Sequence, residues 1–551
     1  MMIQQSADKI KSFIRKYWIV LFILGTVVYF GSCIVVNFVT GKTWYNPDMC
    51  VDAMVAELMA DELTLFPQDW TFSNQYFIVS APVLGAVFNY FTGNGFYAMA
   101  LASSVMMVGI YLSYIWCLKP FVSHKTLFVG LFILSGSLIF GTSACDYVYG
   151  FQLFYTMSSY YASYVIGGFL TLGLFFRIYK SVNFHRVWFV IIGLLNFALG
   201  MQSLRQTLVF IMPMVIVAVY VCIIRKQKTK KIFWFSLGVL VCNIVGIIAI
   251  KILVKVLSVN TNKLINDLQF HSSIAELWEH LQEEINNLYK ICGLYLWEYI
   301  KLEKVFVIVF VGTLFAILCV ITAVVLILVR KDTSPLAIAV LWCFVSICLV
   351  FGVGVVLFSN RPIYYFAWYF LVGFSIGYLF SEWKKYKVLK AIFLMFILLV
   401  GLTNYYTNFY GDFFRHHDRN QFYQELTQEI VDDNIRYVYL CDVWNTDASI
   451  YCYADGNIEV AACIFDDELG LLKSYPSPKH NTAYNKENLK NAYILFIGRQ
   501  IDPIENSTDS KMKRFLEKLE FVREKKGNGR MERTIKIYKP KEDVFYRENV
   551  K

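Results

Sequence analysis

The chain alternates long apolar runs with short polar stretches over its first 406 residues. Runs close to the roughly 20 residues that a helix needs to cross a bilayer fall at 18–38, 96–117, 126–142, 160–176, 187–202, 208–224, 232–254, 305–329, 336–358, 364–381 and 391–406. This pattern predicts a polytopic α-helical membrane protein with about eleven spans. Beyond residue 406 polar positions return and short runs alternate. Gln421–Asp432 and Lys511–Val522 read as helices. Arg436–Cys441, Ser449–Tyr453, Glu459–Phe465, Ala492–Ile497 and Thr534–Tyr538 read as strands. The expected organisation is a transmembrane domain over 1–406 and a small α/β domain over 407–551.

Two segments between spans carry helical periodicity of their own. Within loop 39–95, Met49, Ala53, Val55, Ala56, Met59 and Ala60 predict a short helix over 49–62, lying at the membrane interface. Within 258–304, Ile274, Leu277, Leu281, Ile285 and Leu288 mark one face of an amphipathic helix, interfacial or packed over the spans.

Composition sharpens the class. The chain is 57% apolar and 17% charged, with a mean hydropathy of +0.50. A soluble chain of this length needs more charge to cover its surface. The first run is too long for the core of a cleavable signal peptide. The net charge of +10 does not point to nucleic acid, because the basic residues sit in short loops where membrane orientation explains them. One set of loops holds twenty Lys and Arg, from Lys9 to Lys390, and the alternate set holds nine. That imbalance predicts a cytoplasmic N-terminus, an extracytoplasmic C-terminal domain and a place in the plasma membrane. The thirteen cysteines show neither CxxC nor Cys/His ligand spacing, which argues against structural zinc. Three of them, Cys441, Cys452 and Cys463, fall in the tail, so at most one pair forms there.

Charge placement then singles out candidate chemistry. The stretch from Asn46 to Pro82 carries six acids, Asp48, Asp52, Glu57, Asp61, Glu62 and Asp69, and no Lys or Arg occurs between Lys42 and Lys119. Asp48 follows Pro47 about ten residues after the first span. A carboxylate there suits a general base that takes the proton of an attacking hydroxyl. It equally suits the N-cap of helix 49–62, and the two roles are compatible. The other five acids read as solvated loop charges. Asp146, in the next outer loop, either binds an acceptor, orients Asp48, or is solvated. Arg205 and Arg361 sit in very short outer turns, where a guanidinium fork suits a lipid-borne phosphate. Tyr364 and Tyr365 beside Arg361 read as an interfacial belt or a sugar-stacking surface.

The order of these features resembles the GT-C membrane glycosyltransferases, such as protein O-mannosyltransferases and aminoarabinose transferases. The matching positions are Pro47-Asp48-Met49, Ala56-Glu57, Gln68-Asp69-Trp70 and Ala81-Pro82-Val83-Leu84, with Asn360-Arg361-Pro362 late in the chain. The resemblance implies that Asp48 is the catalytic carboxylate, that Asp146 is the second outer-loop acid, and that Asp69 belongs to the substrate site. It also implies a polyprenyl-phosphate sugar donor and an extracytoplasmic glycan, lipid or protein acceptor. Met49 departs from the family's second acid, and Ser80-Ala81 stand where a lysine often precedes the proline. Some members hold a divalent ion on outer-loop acids; the acids here suit one, and nothing in the sequence requires it. The other readings are a transporter or flippase for a lipid-linked glycan, and a surface polysaccharide polymerase or ligase using segment 258–304.

Overall fold

The computed structural model describes residues 2–40, 47–72, 75–138, 155–156, 159, 161–225, 230–261, 273–301, 304–357, 361–383, 387–407, 421–441, 446–454, 456–474, 487–527 and 534–546. Among the described residues the first fourteen α-helices are α1 (Met2–Val35), α2 (Pro47–Asp61), α3 (Ala81–Thr92), α4 (Gly95–Leu118), α5 (His124–Phe132), α6 (Ala162–Lys180), α7 (Val187–Gln202), α8 (Met212–Arg225), α9 (Lys230–Val256), α10 (Ile274–Ile291), α11 (Val305–Arg330), α12 (Pro335–Val356), α13 (Ala367–Glu382) and α14 (Lys387–Tyr405). Eight stretches among the described residues are long and apolar enough to cross a membrane: Trp18–Val39, Gly95–Leu118, Ala162–Lys180, Thr207–Arg225, Lys230–Val256, Val305–Arg330, Pro335–Val356 and Pro362–Glu382. Three shorter apolar helices, His124–Gly136, Val187–Gln202 and Lys390–Tyr405, occupy the remaining expected positions. The chain is a multi-pass membrane protein.

Burial sorts these helices. Pro362–Glu382 is almost wholly inside the protein, whereas Lys230–Val256 keeps most of its apolar surface outward. An outward apolar surface is what hydrocarbon solvates. Inside, helices meet through close backbone contacts and polar bonds, because lipid removes the hydrophobic drive between them. A Cβ added at Gly246 of α9 would lie 2.1 Å from the Phe197 carbonyl oxygen of α7, and one added at Gly200 would lie 2.2 Å from the Asn243 carbonyl oxygen. Around that contact Asn243 donates to the Asn196 carbonyl at 2.8 Å, and Asn196 donates to Thr171 Oγ1 at 2.9 Å. Thr207 donates to the Asn243 side-chain oxygen. The bonds tie α6, α7, α9 and the segment leading into α8 together.

The C-terminal region adds α15 (Gln421–Asp432), α16 (Thr446–Ala454), α17 (Gly498–Glu505) and α18 (Ser510–Glu517). Its strands are β1 (Tyr437–Cys441), β2 (Glu459–Asp466), β3 (Leu471–Ser474), β4 (Ala492–Ile497), β5 (Leu519–Lys526) and β6 (Thr534–Pro540). The sheet runs β3-β2-β1-β4-β6-β5, with β2 and β4 parallel to β1 and the outer pairs antiparallel. Both faces are covered, so β1 reads as an unbroken apolar run. Val438 and Leu440 pack with α15 and α16, and Tyr439 and Cys441 with α17 and α18. Cys441 and Cys463 sit side by side on β1 and β2, their sulfurs 3.0 Å apart.

Four expectations are corrected. Ser449–Tyr453 is helical, part of α16, because parallel strands β1 and β2 need a crossover connection. Lys511–Val522 divides into α18 and the start of β5, which pairs with β6. β3 and α3 arise where no separate element was expected. Helix α2 is not an interfacial helix with one free face: Cys50, Ala53, Met54, Val55, Ala56 and Met59 are all buried. It packs against α3 and α4 on one side and α16 on another. Cys452 of α16 points its sulfur at the Cys50 carbonyl, 3.4 Å away, and Tyr453 stacks on Phe96 with ring centroids 6.0 Å apart. The α/β unit thus sits on one end of the helical bundle, called here the domain end.

The α7–α9 contact leaves no flexible side chain to yield, so Gly246→Val is expected to cost about 2 kcal/mol or more. It should lower the melting temperature in detergent. Gly238→Val, on a position with nothing within 4 Å of an added Cβ, should leave it unchanged.

Candidate functional site

The domain end gathers segments far apart in sequence. Helix α2 begins at Pro47, so position 48 lies within its first turn rather than before it. The helix dipole favours an acid at that position. The Asp48 side chain, and Asp146 altogether, lie outside the described residues. One turn after Asp48, Asp52 is buried, against its reading as a solvated charge. Glu57 is half-buried and reaches the first turn of α4: a Cβ on Gly95 would lie 2.4 Å from its Oε1. The Tyr451 hydroxyl is held above its ordinary pKa by burial, with the Glu57 carboxylate adding to the effect. Glu57 therefore bridges α2, α4 and α16. Asp61, Glu62 and Asp69 are exposed, as the sequence suggests, and Glu62 accepts from the Gln68 N–H at 2.8 Å.

The loop after α2 is strapped down at two points. The Phe72 N–H donates to the Asn260 carbonyl at 2.9 Å, and Asn260 donates back to the Gln68 carbonyl at 3.0 Å. Further on, the fully buried Gln202 closes the second strap. Its side-chain oxygen accepts from the Val79 N–H at 2.9 Å, and its backbone carbonyl accepts from the Tyr76 N–H at 3.0 Å. Its amide nitrogen donates to Ser163 Oγ at 3.2 Å. These bonds satisfy loop polar groups that would otherwise be orphaned at the rim of an apolar bundle.

Arg205 stands at the start of the helical segment that follows the Ser203–Leu204 turn, at the mouth of this arrangement. It donates to the Gln75 side-chain oxygen. Its guanidinium carbon lies 5.6 Å from the Tyr161 ring centroid and 5.3 Å from that of Tyr364. Two aromatic faces at this range hold a cation electrostatically. A π-helical turn, Thr207–Ile211, comes directly after; such turns recur at functional sites. The segment Arg361–Phe366 supplies the opposite wall. Arg361 is exposed just before the 3-10 turn Pro362–Tyr365. The three side chains of Tyr364, Tyr365 and Phe366 each have a different anchor. Tyr364 faces Arg205, and Phe366 stacks on Tyr161 with centroids 5.2 Å apart. Tyr365 is fully buried and donates its hydroxyl to Glu284 of α10. Of the two tyrosines read as a belt or sugar surface, only Tyr364 is partly open.

The structure thus brings Arg205 and Tyr364 together, with Arg361 three residues from Tyr364, and leaves Asp69 on the surface. Sequence reasoning misses Gln75, Tyr161, Gln202 and Glu284. None of the four stood out in the sequence: the ladder expected over Ile274, Leu277, Leu281, Ile285 and Leu288 runs past Glu284, but Ile274 and Ile285 are exposed, and the inward face of α10 is Leu277, Leu281, Glu284, Asn287, Leu288 and Ile291. Among the described residues no three His, Cys, Asp or Glu side chains gather as a metal site.

Comparison with known structures places the architecture. The crystal structure of ArnT from Cupriavidus metallidurans in the apo state matches with a TM-score of 0.58 over 96% of this chain and 98% of that one, at 11% identity. The same protein bound to undecaprenyl phosphate matches with a TM-score of 0.54 over 95% and 98%, at 12% identity. This chain has the ArnT fold. The GT-C resemblance read from the first loop is borne out at the level of architecture, over nearly the whole chain. Identities this low carry the fold and no residue roles. No protein-family model and no curated protein matches the sequence.

The Glu57–Tyr451 contact predicts coupling between the α/β unit and the bundle. Glu57→Gln and Tyr451→Phe should each destabilise by about 1 kcal/mol. In a double-mutant cycle the pair should fall short of additivity by at least about 0.5 kcal/mol, measured by thermal unfolding. Full additivity would mean the two side chains act separately.

Proposed function

We propose that this chain is a GT-C glycosyltransferase that moves a sugar from a polyprenyl-phosphate carrier to an extracytoplasmic glycan, lipid or protein. The observation that carries the reading is Arg205, held by Gln75 between Tyr161 and Tyr364 at the domain end of a bundle with the ArnT fold. A protein of that fold has been crystallised with undecaprenyl phosphate, which supports a lipid phosphate of that class as the carrier.

In this reaction the acceptor hydroxyl attacks the anomeric carbon. Its new C–O bond forms as the bond between that carbon and the phosphate oxygen breaks. The polyprenyl phosphate leaves with the electron pair, and the configuration inverts. The hydroxyl proton passes to the Asp48 carboxylate, the general base. Arg205 and Arg361 stabilise the charge that grows on the departing phosphate, Arg205 by a fork whose plane the two tyrosines fix. Asp146 orients the acceptor or Asp48, and the exposed Asp69 is a further substrate contact. The α/β unit contributes to acceptor choice. The charge imbalance between loops supports an extracytoplasmic place for this end. The deep polar side chains disfavour a transporter. Asn196, Thr171, Asn243 and Thr207 bond to one another, as helix glue does, rather than lining a midplane site.

Purified protein incubated with radiolabelled polyprenyl-phosphate sugars should consume donor and label an acceptor fraction. Asp48→Asn should lower the rate by at least about a hundredfold with an unchanged melting temperature. Normal turnover in that variant refutes the base assignment. Arg205→Lys keeps the charge but loses the fork, and should raise the KM for donor about tenfold or more. A cysteine placed at exposed Asn506 should react with a membrane-impermeant maleimide in intact cells; protection there would reverse the orientation.

A further inference from the structure

Glu284 takes no part in the reaction above, yet it is the carboxylate most deeply buried among the described residues of α10. It sits in the middle of that helix at 0% exposure, with the Asn287 amide 3.4 Å from Oε1 and the Tyr365 hydroxyl donating to Oε2. A buried carboxylate carries a large desolvation cost unless hydrogen bonds offset it. A fold that needed α10 only as a cover would place leucine here, since the ladder on either side is Leu277, Leu281, Leu288 and Ile291. The carboxylate therefore has a specific task, and its partner shows which.

Tyr365 belongs to the 3-10 turn Pro362–Tyr365. Residues adjacent in such a turn point in different directions, so one can be fixed inside the protein while its neighbour faces the site. Tyr365 goes inward to Glu284, Tyr364 goes to the Arg205 guanidinium, and Phe366 goes to Tyr161, the second ring against that guanidinium. Two of the three aromatic side chains touch the cation's surroundings directly. The third is fastened by a bond to a charged acceptor, which is about twice as strong as a neutral one.

We propose that Glu284 is a positioning residue for the donor phosphate. Through Tyr365 it locks the 362–366 turn, which sets Tyr364 and Phe366 around Arg205 and so aims the guanidinium fork. Helix α10 is thereby a working part of the donor site rather than a lid over the spans. The inference rests on the reading of Arg205 as a phosphate ligand. It is separable from the identity of sugar and acceptor, because its readout is binding of the carrier itself.

The test uses full-length protein in nanodiscs and undecaprenyl phosphate as the probe, with Kd and melting temperature measured side by side. Tyr365→Phe removes only the hydroxyl, and Glu284→Leu removes both acceptors; each should weaken binding about tenfold to a hundredfold. The double variant should be no worse than the weaker-binding single one, because both break the same bond. Glu284→Gln keeps an acceptor oxygen in the same shape and should recover most of the affinity. Should Glu284→Leu fail to fold, Tyr365→Phe and Glu284→Gln still decide the matter. Wild-type affinity in Tyr365→Phe, with or without a lowered melting temperature, overturns the proposal provided Arg205→Ala has lost binding. Wild-type affinity in Arg205→Ala overturns the donor-site reading, and the positioning role with it.

Discussion

A guanidinium at the edge of an apolar bundle has to be compensated by groups that do not move away, and Arg205 imposes that constraint on everything around it. Its partners come from three places in the chain: Gln75 from the first loop, Tyr161 before α6 and Tyr364 before α13, while Arg205 itself lies between α7 and α8. Tyr161, Arg205 and Tyr364 sit at helix ends and Gln75 in a loop, so none lies within the middle of a helix or in a sheet. Each has its own fastening. Gln202 straps the first loop, Phe366 stacks on Tyr161, and Glu284 takes the Tyr365 hydroxyl. Loosening any one of them lets an aromatic face drift off the cation, and cation–π attraction falls away within a few ångström.

The bundle below supplies rigidity by a different route. In hydrocarbon there is no water to replace a broken polar contact, so buried amides and hydroxyls must find each other. Asn196, Asn243, Thr171 and Thr207 do so around the Gly200–Gly246 contact. Thr207 begins the π-helical turn that follows Arg205. The network therefore ends directly beneath the site. Two other π-helical turns, Val36–Thr40 and Ile133–Ser137, also lie toward the domain end of their helices. A π turn shifts the register of every side chain beyond it, which is one way to point residues at a site without tilting a span.

What the sequence made legible follows from which constraints are local. Bilayer thickness fixes the length of an apolar run, so eight of the eleven expected spans fall on helices long enough to cross, and the other three overlap shorter apolar helices among the described residues. Arg205 could be found because a lone cation in a short turn has no helix to snorkel along. Helix α3 was hidden because its twelve residues adjoin α4 across only Gly93 and Asn94, and the pair reads as one loop and one span. Ser449–Tyr453 looks like a strand by composition, and only the parallel pairing of β1 with β2 makes it a crossover helix. Asp52 and Glu57 read as solvated because the helix that helps cover α2 comes from around residue 450, some four hundred positions away. No local pattern records that contact. The same holds for Gln75 and Gln202, whose role exists only once two loops meet.

That distant cover bears on how such a fold persists at 11% identity to ArnT. Lipid-facing and core positions accept many apolar residues, so sequence drifts while helix lengths and crossings persist. Polar contacts between segments do not drift so freely, since losing one partner strands the other. Helix α2 is the sharpest case. It carries Asp48 at its start and Glu57 two and a half turns later, and Glu57 is tied both to the first turn of α4 and to Tyr451 of α16. Cys452 and Tyr453 add contacts to Cys50 and Phe96. The α/β unit therefore does more than extend from the membrane domain as a separate acceptor-binding module. It bears on the helix that presents the candidate base, so any shift of that unit on the bundle would move residue 48 relative to the Arg205 cradle.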